Sequence, residues 1–170
     1  MLSEEAAGLV ARYDLAPLPV EGGLYRRTWA GPPDAAGRPA GSAIMLLLSA
    51  EDDHFSALHR LPIDEVWHFY RGHPLEMLLL DPDGTARVEV LGPGPDEHVQ
   101  LTVPAGTWMG AQVPEGWALC GTTMAPGFVP ADYEGGDADT LAARYPSVAG
   151  RVRALCRTAG PHRMPGDVDA

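Results

Sequence analysis

Short apolar stretches, most of them ended by glycine or proline, recur along the chain at intervals typical of strands. Ser42–Ser49 is an apolar run too short for anything but a buried strand, and Val88 and Val90 alternate with charged neighbours. The 20 glycines and 17 prolines interrupt the sequence too often for long helices. About nine or ten strands follow one another without an intervening helix. This order predicts an all-β fold, either an antiparallel barrel or a double-sheet jelly roll.

Turn residues delimit the predicted strands. Gly22 and Gly23 precede a strand that reaches Trp29, and the turn Asp81–Gly84 joins two strands as a hairpin, Leu75–Leu80 and Thr85–Leu91. The other predicted strands are Phe55–Leu61, Ile63–Tyr70, His98–Val103, Trp108–Val113 and Trp117–Met124, the last two paired as a hairpin through Pro114–Gly116.

The two ends of the chain show helical sequence patterns, unlike its middle. Apolar spacing behind Ser3, a candidate cap, predicts an N-terminal helix over about 3–13. Helical patterns also lie on either side of Pro146, over about 137–157, and the last dozen residues are expected to form a frayed tail. We expect one domain over 1–170, with its barrel core over about 15–130.

The charge balance excludes several classes of function. The formal net charge is −11, from 23 acidic residues against 12 arginines, and the sequence contains no lysine. A basic surface for nucleic acid is therefore not expected, and neither Schiff-base chemistry nor a phosphate-loop lysine is available. Any bound anion must be met by arginine, histidine or backbone amides.

Cysteine usage and the N-terminus favour a cytoplasmic protein. Cys120 and Cys156 stand 36 residues apart, which indicates neither a disulfide framework nor a thiolate metal site. The first residues lack the features of a signal peptide, and no apolar run approaches the length of a membrane span. We therefore expect no contact with a membrane.

A histidine and a glutamate form the main candidate site. His59 lies six residues before Glu65, and a tight corner at Pro62 would let side-chain alternation aim both at one enclosed space. His59 is then a general base or a metal ligand, or alternatively a satisfied histidine in a barrel wall. A carboxylate such as Glu65 facing a barrel interior must be paired or protonated.

Neighbouring residues divide between the two faces of the predicted strands. Trp67 and Phe69 share the face of Glu65, whereas His68 and Tyr70 point the other way, toward an outer surface or a dimer interface, unless a bulge intervenes. Arg26 is either an anion clamp or a structural partner of a glutamate. The remaining candidates for the substrate site are Glu21, Tyr25, Trp108 and Met109.

The same residues resemble cupin motifs. His59, Glu65 and Gly72 match the first cupin signature, G-x5-H-x-H-x3,4-E-x6-G, and Val103–Met109 resembles the second, G-x5-P-x-G-x2-H-x3-N. The chain is also similar to a family of small bacterial and fungal cupins of uncharacterised function, through E-G-G-x-Y-R from Glu21, H-R-x-x-x-D-E-x-W-H-F-Y-x-G from His59, V-P-A-G-x-W from Val103 and A-P-G-F from Ala125. This resemblance implies a jelly-roll barrel with an internal pocket, in a homodimer, and no settled reaction.

Two of the metal ligands that the cupin signatures imply are missing. Leu61 and Met109 stand where histidines belong, so that His59 and Glu65 alone would hold a metal only weakly. Gln112, His54 or His68 could complete a site only with a different geometry. We therefore expect no tightly bound cofactor, and a weakly bound divalent metal stays open.

Three functions remain, in order of preference. The first is a non-redox isomerase, epimerase or lyase acting on a small polar or anionic molecule such as a sugar derivative. By analogy with metal-free deoxysugar epimerases, His59 would be the base, Tyr25 or Tyr70 the acid, and Arg26 would neutralise developing charge. The second is a metabolite-binding or sensing module without catalysis, and the third is a metal-dependent oxygenase.

Overall fold

Eleven strands and three α-helices make up the regular structure of residues 1–51 and 54–169, the part of the chain that the computed structural model describes. The α-helices are α1 (Glu4–Tyr13), α2 (Ala138–Arg144) and α3 (Ala149–Leu155), and 3-10 turns cover Pro130–Asp132 and Pro146–Val148. The strands are β1 (Ala16–Pro17), β2 (Leu24–Ala30), β3 (Ser42–Ser49), β4 (Ser56–Arg60), β5 (Glu65–Gly72), β6 (Leu75–Leu80), β7 (Ala86–Leu91), β8 (Gln100–Val103), β9 (Trp108–Gln112), β10 (Trp117–Met124) and β11 (Glu134–Gly135).

The strands form two antiparallel sheets, which confirms the predicted jelly roll. One sheet has the order β1-β2-β3-β10-β5-β8, and the other has the order β11-β4-β9-β6-β7. The predicted hairpin β6–β7 is present, with Leu80 paired to Ala86 beside the turn. Because β4 and β5 belong to different sheets, the corner at Pro62 carries the chain from one sheet to the other.

The predicted hairpin between β9 and β10 is wrong. β10 lies between β3 and β5 in the six-stranded sheet, whereas β9 lies between β4 and β6 in the five-stranded sheet. Residues 113–116 do form a turn, with Gly116 at φ +68°, but this turn crosses between the sheets. A local turn signal does not specify which distant strand will supply the hydrogen bonds.

Three apolar clusters build the molecule in layers. The largest fills the space between the sheets and includes Leu46 and Trp67 from one sheet and Met77 and Met109 from the other. The outer face of the six-stranded sheet is partly covered by α1, through Leu9 and its neighbours. Helices α2 and α3 cover the outer face of the five-stranded sheet. The space between the two sheets is therefore where polar residues would be enclosed by apolar side chains.

The C-terminal segment packs against the barrel instead of fraying. Met164 is 7% exposed and joins the cluster between the sheets, and Val168 packs against the same cluster. The amide of Gly135 donates to the carbonyl of His162 over 2.8 Å. Two apolar side chains and one backbone hydrogen bond thus hold the segment against the barrel, whereas the sequence predicts a frayed tail.

The N-terminal helix has the predicted cap, since the Ser3 hydroxyl accepts from the amide of Ala6 at 3.2 Å. Over the described ranges, none of the helices combines the length and apolarity that a membrane crossing demands.

Candidate functional site

His59 is held in one orientation by its own strand. It is 2% exposed, and its Nδ1 lies 2.8 Å from the carbonyl oxygen of Ala57. Because a carbonyl only accepts, Nδ1 must carry a hydrogen, and a neutral His59 therefore has its lone pair on Nε2. Nε2 is directed toward Glu21, whose Oε2 is 3.9 Å away. Nε2 therefore faces the space between the sheets, where it can accept a proton when the ring is neutral or donate one when the ring is charged.

Glu65 approaches the same space from the other sheet. It is 6% exposed, and its Oε2 accepts from the indole Nε1 of Trp67 at 2.9 Å. Burial is the main cause that raises the pKa of Glu65. His59 opposes this rise, the negative charge of Glu21 adds to it, and hydrogen bonds from Thr122 and Trp67 lower it. The net effect favours a protonated carboxyl.

Glu21 completes the group through a tightly folded loop. Its Oε1 accepts from the hydroxyl of Ser56 at 2.7 Å. The next residue, Gly22, has φ +101°, and a Cβ there would lie 1.9 Å from Nη2 of Arg157 and 2.6 Å from the carbonyl oxygen of Phe55. That guanidinium donates to the carbonyls of Glu21 and Phe55. The glycine therefore lets Arg157 fix the loop that aims Glu21 inward.

Tyr133 is a site residue that sequence reasoning missed. Its ring stacks on His59 with centroids 5.0 Å apart and planes 15° from parallel. Its hydroxyl is buried and has no hydrogen-bond partner among the described residues, and burial raises the pKa of Tyr133 far above its usual value. It precedes β11, whose two residues are too few for a strand pattern. The A-P-G-F motif lies shortly before Tyr133 and is the sequence feature that could have drawn attention to this segment.

These groups enclose a cavity of about 20 Å³. Its polar lining consists of Glu21, Ser42, His59, Glu65, Thr122 and Tyr133, and its apolar lining consists of Leu18, Ile44, Leu61, Met124, Phe128 and Met164. Such a space accommodates about one ordered water. A ligand larger than water therefore requires a wall to move, and Met164 is the wall residue that belongs to the C-terminal segment.

Several predicted site residues lie on the outer faces of the two sheets, away from the cavity. Arg26 pairs with Asp14 at 2.7 Å. His68 bonds Thr123 at 2.9 Å and stacks with Tyr70, which is 51% exposed. The expected alternation along β5 is thus present. Trp108 belongs to the cluster beneath α2 and α3 and faces away from the barrel interior.

The remaining candidates are inside the barrel but do not line the cavity. Trp67 supports Glu65 through its indole, and Met109 pairs with His59 in the β4–β9 register. Phe69 and Tyr25 pack at the edge of the cluster between the sheets. Burial and the nearby Asp169 raise the pKa of Tyr25, which keeps its phenol neutral.

The donor set does not fit the usual cupin metal. The two positions of the missing ligands are filled by Leu61 and Met109, both buried in the apolar cluster. Across the described ranges, no group of three or more histidine, cysteine, aspartate or glutamate residues is placed to hold an ion. A divalent cation of this kind needs three or four nitrogen or oxygen donors. We therefore derive no chemical step through a metal.

Solved structures similar to this chain share its architecture. A crystal structure of a Shewanella oneidensis protein is 29% identical, with a TM-score of 0.82 over 94% of this chain and 100% of that one. A hypothetical protein from Leishmania major is 27% identical, with a TM-score of 0.78 over 89% and 98%. Oxalate decarboxylase from Bacillus subtilis, at 14% identity, a TM-score of 0.57 and coverage of 93% and 43%, shows the fold alone.

Sequence comparison supplies the family but no activity. No protein with curated annotation matches this chain. A family profile described as Cupin superfamily (DUF985) matches residues 7–135, which include His59, Glu65, Glu21 and Tyr133. The chain therefore belongs to the DUF985 family of the cupin superfamily.

Proposed function

We propose that this cupin moves a proton on a small polar molecule held between its sheets, as a non-redox isomerase, epimerase or lyase. The observation that carries the proposal is the shared cavity of His59 and Glu65, one residue from each sheet. Their surroundings differ, since His59 presents a basic nitrogen and burial raises the pKa of the Glu65 carboxyl, which favours its protonated form. Two titratable groups whose surroundings favour different protonation states suit paired roles as a base and an acid.

His59 is the base in this proposal. The hydrogen bond from Nδ1 to Ala57 holds the ring, and Nε2 removes a proton from a carbon next to a carbonyl. The electron pair left behind forms an enol. Glu21, with Oε2 3.9 Å from Nε2, stabilises the imidazolium that results.

Glu65 takes the acid role that the sequence assigned to a tyrosine. Its carboxyl proton passes to the substrate carbonyl oxygen as the enol forms. Epimerisation follows if the enol turns its opposite face to His59 before the proton returns to the same carbon. Isomerisation follows if His59 protonates the former carbonyl carbon while the carboxylate of Glu65 takes the proton of the neighbouring enol hydroxyl. Elimination follows if Glu65 takes back the enol proton as a group on the next carbon leaves with the proton held by His59. Tyr70 contributes nothing to this step because it lies on the outer surface.

Deuterium exchange tests the proposal without knowledge of the product. The protein is incubated in D₂O with small hydroxycarbonyl compounds, and proton NMR follows loss of the signal at the carbon next to each carbonyl. We expect exchange with the wild-type protein, and a decrease of about 10²–10⁴-fold in His59→Gln. His98→Gln is the matched control, because His98 is an exposed histidine bonded to Glu89 outside the cavity. Absence of exchange, or equal rates in the wild type and His59→Gln, contradicts the proposal.

The second candidate is a module that binds a metabolite without converting it. The small volume of the cavity, whose lining includes Phe128 and Met164, favours this alternative because it leaves little room for a substrate to react. The same NMR samples separate the two. A ligand that shifts resonances of cavity residues but shows no exchange with the wild type supports the binding module.

We also propose a homodimer, which the family resemblance implies. Tyr70 and Trp29, 51% and 52% exposed, lie on the part of the six-stranded sheet that α1 does not cover. Light scattering after size-exclusion chromatography tests this proposal. A dimer that becomes a monomer in Tyr70→Ser supports it, and a monomeric wild type contradicts it.

A further inference from the structure

We infer that the cavity accepts a small positively charged group, such as an amine or amidine, and rejects carboxylates. This inference names the ligand class and rests on the proposed role of the cavity as a binding site. It excludes the anionic members of the polar or anionic substrates that the sequence predicts. The reason lies in which polar atoms face the enclosed space.

Besides the unpartnered hydroxyl of Tyr133, the described lining of the cavity presents two hydrogen-bond acceptors that lie next to each other. The carboxylate of Glu21 has one oxygen bonded to Ser56, while its other oxygen and Nε2 of His59 are turned toward each other at 3.9 Å. Glu65 adds a second carboxyl, already bonded by Trp67. A ligand must therefore bring donors, and amidine or ammonium groups carry several N–H donors with a compensating charge.

Positive side chains are directed elsewhere. Within the described residues, no arginine lines the cavity. Arg26 pairs with Asp14, and Arg157 donates to backbone carbonyls of the loop around Glu21. Among the described residues that line the cavity, only His59 can carry a positive charge, and its Nε2 already faces Glu21. A carboxylate ligand would thus meet the charge of Glu21 at low dielectric, which is unfavourable. The apolar walls formed by Leu18, Leu61 and Met164 suit a short alkyl substituent on the ligand.

Three isosteric probes test the inference. Acetamidinium, acetamide and acetate have nearly the same shape but charges of +1, 0 and −1. Binding is followed by the indole N–H resonance of Trp67, which donates to Glu65 and is assigned with Trp67→Phe. We expect acetamidinium to bind at least about tenfold more tightly than acetamide, and acetate to produce no saturable shift.

Variants distinguish charge recognition from lack of room. Glu21→Gln is expected to weaken acetamidinium binding by about tenfold or more, whereas Glu115→Gln, in an exposed turn, leaves it unchanged. Met164→Ala enlarges the cavity and permits binding if space limits the wild type. Acetate binding as tightly as acetamidinium, or no response to any probe in either the wild type or Met164→Ala, overturns the inference. A failure to observe deuterium exchange does not overturn the inference, because the Trp67 resonance reports binding and not catalysis.

Discussion

Nδ1 of His59 donates to the carbonyl oxygen of Ala57, two residues earlier in the same strand, over 2.8 Å. This single bond determines which nitrogen of the imidazole is available to a ligand. It also ties the ring orientation to β4, while Tyr133 stacks on the ring from outside this strand. The chemistry proposed for the cavity begins from this relationship.

The tautomer of His59 is the first prediction. Two-bond proton–nitrogen correlation spectra should show a protonated Nδ1 and an unprotonated Nε2 for the neutral ring, because the carbonyl of Ala57 cannot donate. His59→Gln identifies the signals by their loss. A neutral ring protonated at Nε2 would remove the basic nitrogen from the cavity and contradict the assignment.

The second prediction concerns the pH dependence of stability in Glu65→Gln. Burial raises the pKa of Glu65 in the folded state, so its stabilising protonated form is fully present below the unfolded value near 4.5 and is lost as pH rises through the folded pKa. Each tenfold rise in proton affinity corresponds to about 1.4 kcal/mol. The glutamine variant, which stays neutral, should therefore gain stability relative to the wild type as pH increases.

Chemical denaturation at a series of pH values measures this difference. Glu115→Gln, a substitution in an exposed turn, serves as the control and should show no comparable trend. If the stability difference between wild type and Glu65→Gln is the same at all pH values, the carboxyl is not held protonated by its surroundings.

The third prediction concerns the packing of the C-terminal segment. Met164 is 7% exposed against the barrel core, so Met164→Ala should lower the free energy of unfolding by about 2 kcal/mol, the lower end for a buried methionine. Val99→Ala, at a 63% exposed position, should change it by less than about 0.5 kcal/mol. Equal effects of the two substitutions in denaturation experiments would show that the segment does not pack as described.

The fourth prediction restores a metal site. Leu61→His combined with Met109→His places imidazoles at the two positions where the cupin signatures have ligands, beside His59 and Glu65. We expect the double variant to gain stoichiometric binding of zinc or nickel, measured by calorimetry and metal analysis. Wild-type protein that binds the same metals equally well would show that His59 and Glu65 already have other ligands.

Local patterns predicted those parts of the site that depend on strand alternation. The spacing of His59 and Glu65 around Pro62 was sufficient to predict that both side chains face one enclosed space, because side chains alternate along a strand with a fixed period. The outward direction of Arg26 was not predicted, since it depends on Leu24, on the same face of β2, packing beneath α1. Which face of a strand is covered by a helix is a property of the whole fold.

Residues contributed by irregular segments could not be predicted. Tyr133 reaches His59 from a loop before a two-residue strand, and Met164 comes from a segment without regular structure. Neither position has a periodicity that reveals its burial. The sheet assignments of β9 and β10 failed for a related reason, because pairing of distant strands is decided by the assembled sheets.

A titration of the Glu65 side-chain carboxyl by carbon-13 NMR in three proteins, wild type, His59→Gln and Glu21→Gln, tests whether the three groups interact. We expect a midpoint above the usual glutamate value of 4.5, which moves up when His59 is removed and down when the charge of Glu21 is removed. A midpoint at or below the usual value that neither substitution changes would contradict the claim that these three groups share one buried cavity.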